Sequence, residues 1–235
     1  MTLTIAPVHG IGEIVPGADL AGAIAEACAA DPATALPTAT VSSPRRWSPK
    51  ARTAGAGRSR RPAVAQAARR GRGRACKLRR RGDLLITETA HGFVCANAGI
   101  DLSNVDRYAA LLPVDADRSA RRIRDGLRAR CGATVGVIVS DTFGRTWRRG
   151  VTDVAIGIAG IAGVIDLRGT ADAYGRELQV TEVCVADELA SAAELVMGKA
   201  TGVPVAVVRG VDPDWLRPGS VADEIVRAPA DDLFR

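Results

Sequence analysis

One apolar run that breaks off into a carboxylate and three arginines constrains this chain more than any other stretch. It reads VIVSDTFGRTWRR and covers residues 137–149. The β-branched and aliphatic residues between Val135 and Val139 predict a strand that is covered on both faces. Polar residues follow at once, so we expect irregular backbone, and with it a functional site, to begin at Asp141 and Thr142.

The residues after this strand suit an anionic ligand. Gly144 allows a close approach of the backbone, and Arg145, Arg148 and Arg149 carry planar guanidinium groups that match phosphate or carboxylate. A hard metal ion with a phosphorylated ligand would fit here. The alternative is a strand that ends in an Asp/Thr helix cap with solvated arginines, and this stretch alone leaves both interpretations open.

The positive charge of the chain belongs to one segment. The net charge is +6, with 32 basic and 26 acidic residues. Residues 32–82 hold fifteen of the Lys or Arg residues and no Asp or Glu, so the rest of the chain has 17 basic groups against all 26 acidic ones. No helical or strand period persists in residues 30–82, and Pro, Gly and Arg interrupt the segment throughout. We therefore expect an anomalous, poorly ordered basic segment. A nucleic-acid-binding role is a rival interpretation, disfavoured because only Trp47 could stack on a base.

Length and composition favour an ordinary globular protein. A chain of 235 residues can bury a proper core, and with only 3% aromatic residues the core must be built from aliphatic side chains. No apolar stretch is long enough to span a bilayer, and the N-terminus lacks the pattern of a signal peptide. We expect a soluble cytoplasmic protein. The five cysteines are scattered without metal-ligand spacing, which is typical of free thiols.

Strands and helices do not alternate regularly, so the pattern favours an α+β fold with mixed sheets and flanking helices over a doubly wound sheet. The helices are predicted from N-cap residues and from apolar residues that share one face. The predicted elements are a strand with Leu3 and Ile5, a helix capped by Asp19 with Leu20, Ile24 and Ala27 on one face, a strand LLITET from residue 84, a helix capped by Asp117 or Ser119 that ends at Gly132, a helix from residue 185 with Leu189, Ala193 and Val196 on one face, and a buried strand PVAVVRG from residue 204.

Two polar pairs could meet in space. Asp101 with Asn104, and Asp141 with Thr142, each follow an apolar run and are flanked by small or polar residues. A magnesium or manganese site that uses few protein oxygens and is completed by phosphates needs side chains of this kind. The alternative for Asp101 and Asn104 is an Asx-turn.

Several long motifs identify the chain as similar to one family. The stretches GIGEIVPGADL, ETAHGFVCANAGIDLSNVD, VSDTFGRTWRRGVTDVAIGIAG and YGRELQVTEVCVADELASAAELVMGKATGVPVAVVRG closely resemble the coenzyme F420-0:gamma-L-glutamate ligase family. The resemblance covers residues 8–29 and residue 83 to the C-terminus. It implies a single ligase domain that forms an intertwined homodimer. It also implies a GTP-dependent reaction that joins L-glutamate to coenzyme F420-0, with Mn²⁺ or Mg²⁺ and K⁺.

The same resemblance assigns roles to particular residues. It implies that Ile11, Gly12, Glu13, Ile14 and Asn104 belong to the guanine-nucleotide site, together with Met197, Gly198 and Lys199. It further implies that Asp101 and Asp141 are metal ligands and that Thr142 is a ligand of a second metal.

Two catalytic hypotheses go with these roles. Arg145, Arg148 or Arg149 would hold an anionic group of F420-0 or glutamate. His91 would be the general base for the glutamate amine, although a lone His beside a glycine is more often structural. Some relatives continue into a flavin-binding nitroreductase-like domain, and since this chain ends before such a region, we expect ligase chemistry only.

Residues 30–82 depart from the family pattern. The family carries a hydrophobic strand and a Ser-Lys motif there that contacts the nucleotide, whereas this chain has the basic segment. Our hypothesis is a pair of compensating frameshifts, which sequencing of the coding DNA would exclude if the shifted frame lacked such a motif. If the protein is made as written, we expect a core strand to be missing and GTP binding to be weak. A catalytically impaired relative is therefore the alternative to an active ligase.

Overall fold

A mixed five-stranded sheet forms the centre of the protein. The computed structural model describes residues 2–12, 14, 17–36, 38–43, 76–81, 84–99 and 112–232. The strands are β1 (Thr4–Val8), β2 (Thr38–Ser43), β3 (Cys76–Arg81), β4 (Leu84–Glu88), β5 (Val94–Ala96), β6 (Thr134–Arg145), β7 (Arg148–Ala159), β8 (Ile165–Asp166), β9 (Glu182–Val183) and β10 (Val205–Arg209). The α-helices are α1 (Leu20–Ala29), α2 (Ala116–Cys131), α3 (Val185–Met197) and α4 (Val221–Glu224), with short 3-10 turns at Asn97–Gly99, Pro213–Trp215 and Pro229–Asp231.

The central sheet has the strand order β1-β10-β2-β6-β7. Strand β2 runs parallel to β6, and all other neighbours in this sheet are antiparallel. A three-stranded antiparallel sheet, β3-β4-β5, and a small β8-β9 pair complete the strands of the described residues. The predicted α+β class with mixed sheets and flanking helices is confirmed.

Both faces of β6 are covered, as the sequence predicted. Val137 packs into a core with α1 and α2, and the next residue, Ile138, packs into a second core with α3. Both side chains are fully buried, and burying one aliphatic side chain contributes about 1.5–3 kcal/mol. Because consecutive residues of a strand face opposite sides, an uninterrupted apolar run is what such a position requires.

The prediction that regular structure ends at Asp141 and Thr142 is wrong. Strand β6 continues to Arg145, turns at Thr146 and Trp147, and returns as β7. These residues therefore lie inside a β-hairpin, and the alternative of a helix cap is wrong as well. Antiparallel pairing with β7 satisfies the backbone of this polar stretch, which composition alone did not reveal.

The helix predictions hold with one correction. Asp19 caps α1 by accepting a hydrogen bond from the Gly22 amide at 3.1 Å, and α2 ends at Gly132 in the left-handed conformation. The cap of α2 is Asp115, not Asp117 or Ser119, because the Asp115 carboxylate accepts from the Arg118 amide at 2.7 Å. All three residues are good N-caps, so local sequence did not discriminate between them.

Strand β2 fills the place in the sheet that was expected to be empty. Thr38–Ser43 pairs with β10 on one side and with β6 on the other. The segment that contains it showed no strand period, and β3 also begins inside that segment. Most of the remainder of residues 30–82 lies outside the described residues, so its poor order stays a prediction. Within the described part of the chain, no helix is long and apolar enough to cross a membrane.

Gly157 of β7 provides a test of how α2 packs on the sheet. A Cβ atom there would overlap the main-chain carbonyl of Ala116, at the start of α2. We expect Gly157→Ala to lower the free energy of unfolding by about 1–3 kcal/mol, because the helix must shift to relieve the overlap. Chemical denaturation monitored by circular dichroism measures this change.

Gly144→Ala is the matched control, since an added Cβ there would meet nothing within 4 Å. Its free energy of unfolding should stay within about 0.5 kcal/mol of the parent protein. Equal losses in the two variants would contradict the packing described for Gly157.

Candidate functional site

The hairpin of β6 and β7 carries a polar cluster just beyond the central sheet. Val139 pairs with Ser43 of β2, whereas the following residues of β6, within the described part of the chain, pair with β7. The register shifts at this point, because Val139 lies opposite Gly157 but Ser140 lies opposite Ala155. Ile156 is therefore an extra residue, and such a bulge increases twist and redirects neighbouring side chains.

Asp153 is the buried centre of this cluster. Its carboxylate has 0% exposed surface, and it lies directly opposite Thr142 in the pairing of the two strands. Thr142 Oγ1 donates to Asp153 Oδ1 at 2.9 Å, and Ser140 Oγ donates to Asp153 Oδ2 at 3.1 Å. Sequence reasoning did not single out Asp153. The signal that could have revealed it is a lone carboxylate next to the apolar run VAIGIA, since buried carboxylates need specific partners.

Helix α3 holds the backbone of β7 beside this cluster. Ser191 Oγ donates to the main-chain oxygen of Asp153 at 2.7 Å and lies 2.9 Å from Thr152 Oγ1. One helical turn earlier, Asp187 Oδ1 accepts from the Ala155 amide at the bulge, at 2.8 Å. Burial raises the pKa of Asp187, and the hydrogen bonds from Ala155 and Cys184 only partly offset that effect.

Asp141 lies on the opposite face of β6 from Thr142. Its Oδ1 accepts from the Thr142 amide at 2.8 Å, while the neighbouring Phe143 ring packs against Phe93 with centroids 5.9 Å apart. Burial, followed by the negative charge of Asp141, raises the pKa of Cys95 to about 11. Asp141 therefore faces β5, and Cys95 is a protonated thiol at neutral pH.

His91 is held in the turn between β4 and β5. Its ring stacks on Phe93 at a centroid distance of 5.7 Å, and its Nε2 lies 3.1 Å from the Val114 carbonyl oxygen. A carbonyl only accepts, so the hydrogen of this contact lies on Nε2. Nδ1 is buried and has no hydrogen-bond partner in the described part of the chain. The base role of His91 stays a prediction.

The topology brings two of the predicted nucleotide segments to the same end of the sheet as Asp141. Val8, the last residue of β1, pairs with Val205, the first residue of β10. Because β1 and β2 both run in the direction of β6, the loop after β1 and the loop before β10 lie where β6 leaves the sheet. These loops contain the predicted residues Ile11, Gly12, Ile14, Gly198 and Lys199, and Met197 ends α3 beside them.

The side chains of these segments differ in access. Ile11 and Met197 are buried in the two cores, whereas Gly12 and Lys199 are exposed and Ile14 is half-buried. Gly198 is half-buried as well, so Gly12, Ile14, Gly198 and Lys199 are the described members of this set whose surface is open to a ligand. The nucleotide contacts themselves stay predictions.

The three predicted arginines lie at the exposed tip of the hairpin. Arg145 and Arg148 are opposite each other across the turn, and the Arg145 guanidinium donates to the Arg149 carbonyl at 3.1 Å. Arg145 follows Asp141 by four residues of extended strand, a span of roughly 13 Å. The arginines therefore do not form one compact cluster with Asp141 and Thr142.

The site residues Glu13, Asp101 and Asn104 lie outside the described residues. Among the side chains that the structure does describe, no three His, Cys, Asp or Glu residues come together as a metal cluster. The predicted donors present are the carboxylate of Asp141 and the hydroxyl of Thr142, both hard oxygens and both half-buried. Such a set fits Mg²⁺ or Mn²⁺ that takes its other ligands from water and phosphate, and does not fit a closed protein cage.

Taken together, the fold and this cluster define an α+β protein with a hard-oxygen site at the open end of its central sheet. A family model described as F420-0:Gamma-glutamyl ligase matches residues 13–210. The match covers most of the chain, so the protein belongs to this family.

Individual relatives agree with the family assignment. The chain is 50% identical over 157 residues to the coenzyme F420:L-glutamate ligase of Methanopyrus kandleri, covering 65% of this chain and 62% of that protein. It is 44% identical over 154 residues to the enzyme of the same name from Methanocaldococcus jannaschii, covering 65% and 61%. It is 48% identical over 155 residues to the coenzyme F420:L-glutamate ligase of Methanothermobacter thermautotrophicus, covering 65% of this chain and 62% of that protein. The aligned part of the chain thus spans about three fifths of the length of these relatives.

Asp187 provides a test of how α3 supports the site. Its folded-state pKa is raised, so the charged form is disfavoured in the folded protein, and its contribution to stability is lost as pH rises through that folded pKa. We expect Asp187→Asn to gain stability relative to the parent at pH 8, because an amide oxygen can still accept from Ala155. The difference should shrink as pH falls toward 4. Urea unfolding at several pH values measures it.

Glu188→Gln is the matched control, since Glu188 is the exposed neighbour in the same helical turn. This variant should follow the parent at every pH. A Glu188→Gln curve that matched Asp187→Asn would show that general surface charge, and not burial of Asp187, sets the pH dependence.

Proposed function

We propose that this protein is a GTP-dependent ligase that adds L-glutamate to coenzyme F420-0, and that can add further gamma-linked glutamates. The observation that carries this proposal is the family membership together with the hard-oxygen pair at the open end of the sheet. Asp141 and Thr142 stand in a β-hairpin whose backbone is braced by α3. The loops predicted to bind the nucleotide border the same end of the sheet.

The proposed reaction uses an acyl-phosphate intermediate, because a carboxylate is a poor electrophile. The gamma-phosphoryl group leaves the bridging oxygen of GTP, which releases GDP, and forms a bond to a carboxylate oxygen of the F420-0 tail. The amine of glutamate then attacks the carbonyl carbon, the amine loses a proton, and phosphate departs. Positioning and electrostatic stabilisation supply most of the acceleration in phosphoryl transfer of this kind.

Asp141 and Thr142 would hold the divalent cations in this scheme. They face opposite sides of β6, which suits ligation of two different ions better than joint ligation of one. Bound there, Mn²⁺ or Mg²⁺ would neutralise charge on the phosphate oxygens, and K⁺ is a further cation of the proposal. Exposed Lys199, in the loop before β10, is a basic side chain at this end of the sheet and would be suited to a nucleotide phosphate.

The hairpin tip suits recognition of an anionic group on either substrate. Its three arginines are exposed and are not held by a salt bridge among the described residues. Guanidinium groups in this state are available to pair with a carboxylate or a phosphate. His91 is proposed as the base for the amine, and its contacts with Phe93 and Val114 fix the ring. Because Nδ1 is buried, this role requires that substrate binding open access to that nitrogen.

The hairpin also supports the proposed homodimer. Trp147 at its turn is 82% exposed and Val151 is 56% exposed, so the projecting strands present apolar surface to solvent. A second copy that packed on these strands would cover that surface. The competing proposal, an impaired relative, rests on the absence of the Ser-Lys motif from the sequence after β2.

The ligase proposal is tested by incubating the protein with F420-0, L-glutamate, GTP and Mn²⁺ and measuring added glutamyl units by mass spectrometry. We expect products heavier by one or more glutamyl units, and a fall of at least about 100-fold in turnover for Asp141→Asn, since a metal-bound carboxylate contributes several kcal/mol. Asp125→Asn, at an exposed position of α2, is the control.

Product formation by the parent and not by Asp141→Asn would support the proposal. Absence of product with GTP binding of ordinary affinity would overturn the ligase proposal. Absence of both would favour the impaired relative that lacks part of the GTP site.

Charge reversal at the tip tests the arginine hypothesis. We expect Arg148→Glu to raise the Michaelis constant for F420-0 or for glutamate by about tenfold or more, because an attractive pair becomes a repulsive one. Steady-state kinetics with each substrate varied in turn identifies which group is held. Unchanged turnover and unchanged Michaelis constants for charge reversal at all three arginines would show that the tip has no such role.

A further inference from the structure

We propose that Asp153 is a positioning residue that sets the hydroxyl of Thr142 for cation binding. The inference rests on the proposed function, since it takes Thr142 as a ligand of a divalent cation. Asp153 itself is completely buried, so it acts through Thr142 and not by direct contact with substrate.

The first step of the argument is the direction of the hydrogen bond. A threonine hydroxyl has one hydrogen and two lone pairs. Because Thr142 Oγ1 donates its hydrogen to Asp153 Oδ1 at 2.9 Å, both lone pairs remain for another partner. A carboxylate acceptor also increases the electron density on the hydroxyl oxygen, which strengthens it as a ligand for a hard cation.

The second step is that the carboxylate is held in place from two sides. Ser140 Oγ occupies the other carboxylate oxygen at 3.1 Å, which fixes the plane of the group. The main-chain oxygen of Asp153 accepts from Ser191 Oγ of α3 at 2.7 Å. Asp153 therefore links α3, through its main-chain oxygen, to the Thr142 hydroxyl on the neighbouring strand, through its carboxylate.

The third step is that burial of a carboxylate needs a compensating role. Placing such a group at 0% exposure is unfavourable unless hydrogen bonds offset the loss of water. A neutral residue of similar size would fill the same volume without that cost. Packing alone would not require a carboxylate at residue 153. Orientation of the Thr142 hydroxyl is a role that does require an acceptor there.

The experiment measures binding of Mn²⁺ alone to the full chain, with free Mn²⁺ followed by electron paramagnetic resonance. We expect Asp153→Asn to weaken Mn²⁺ binding by about 10- to 100-fold, because an uncharged amide oxygen is a weaker acceptor than a carboxylate and the amide NH₂ group can instead donate to Thr142 Oγ1 and occupy one of its lone pairs. Ser140→Ala is the matched control. It removes the other hydroxyl from the same carboxylate, so it should loosen the plane of the group and weaken Mn²⁺ binding by clearly less than Asp153→Asn does, because the Thr142 hydrogen bond remains.

A double-mutant cycle separates positioning from simple loss of charge. Thr142→Val removes the hydroxyl, so in that background Asp153→Asn should cause little further loss of Mn²⁺ affinity. Losses that multiply in the double variant would show that Asp153 acts through its charge alone and would overturn the inference. Circular dichroism and thermal unfolding establish that each variant is folded.

A second variant keeps the inference testable if Asp153→Asn does not fold. Thr142→Ser retains the hydroxyl and should bind Mn²⁺ nearly as well as the parent, because Asp153 still directs the hydrogen. A loss equal to that of Thr142→Val would overturn the inference. Parent protein that binds no Mn²⁺ would instead overturn the metal part of the proposed function, whereas parent binding with an unaffected Asp153→Asn variant would overturn only the role of Asp153.

Discussion

The antiparallel pairing of β6 with β7 is the interaction on which the rest of the structure depends. Consecutive residues of β6, such as Val137 and Ile138, face the two separate cores, so this strand joins the layer of α1 and α2 to the layer of α3. Strand β6 continues past Val139, the last of its residues that pairs with the described part of β2, and β7 stays paired with it there. The same pair of strands is therefore the centre of the core at one end and the scaffold of the candidate site at the other.

The bulge at Ile156 lies between the part of the hairpin that belongs to the core and the part that carries the candidate site. It changes the register of β7, and the amide of Ala155 is bonded by the Asp187 carboxylate of α3. Ser191, one turn further along the helix, bonds the main chain at Asp153. An irregularity in a sheet is stable when side chains satisfy the displaced backbone groups. By these two hydrogen bonds, helix α3 fixes the position of the β7 backbone that carries the polar cluster.

The open end of the central sheet gathers the remaining pieces of the site. Strands β1, β2 and β6 share one direction and β10 runs against them, so the loop after β1 and the loop before β10 come to the place where the hairpin leaves the sheet. Nucleotide and metal sites often lie where several strands end, because loops there can converge without burying unpaired backbone. The motifs by which the family was recognisable include the loop after β1, the hairpin, and the segment that runs from β9 through α3 to β10.

Local sequence by itself determined the buried strand at Val137, the Asp19 cap of α1, the helix face of α3, and the family. Periodicity, capping residues and long motifs are contained in neighbouring residues, and these elements follow from them. Only the tertiary structure decided that Thr38–Ser43 is a strand, because its partners on β10 and β6 are distant in the chain. It likewise decided the cap of α2. Asp117 has the residue type of a cap, yet its carboxylate accepts from the amides of Ile158 and Val221.

The candidate site divides in the same way. The motif SDTFGR points to Asp141 and Thr142 through residue type and order alone. The opposition of Thr142 and Asp153 depends on the hairpin register, and one extra residue in β7 sets that register. Because a shift of one residue moves every side chain to the other face of a strand, pattern alone could not place Asp153 beneath the hydroxyl.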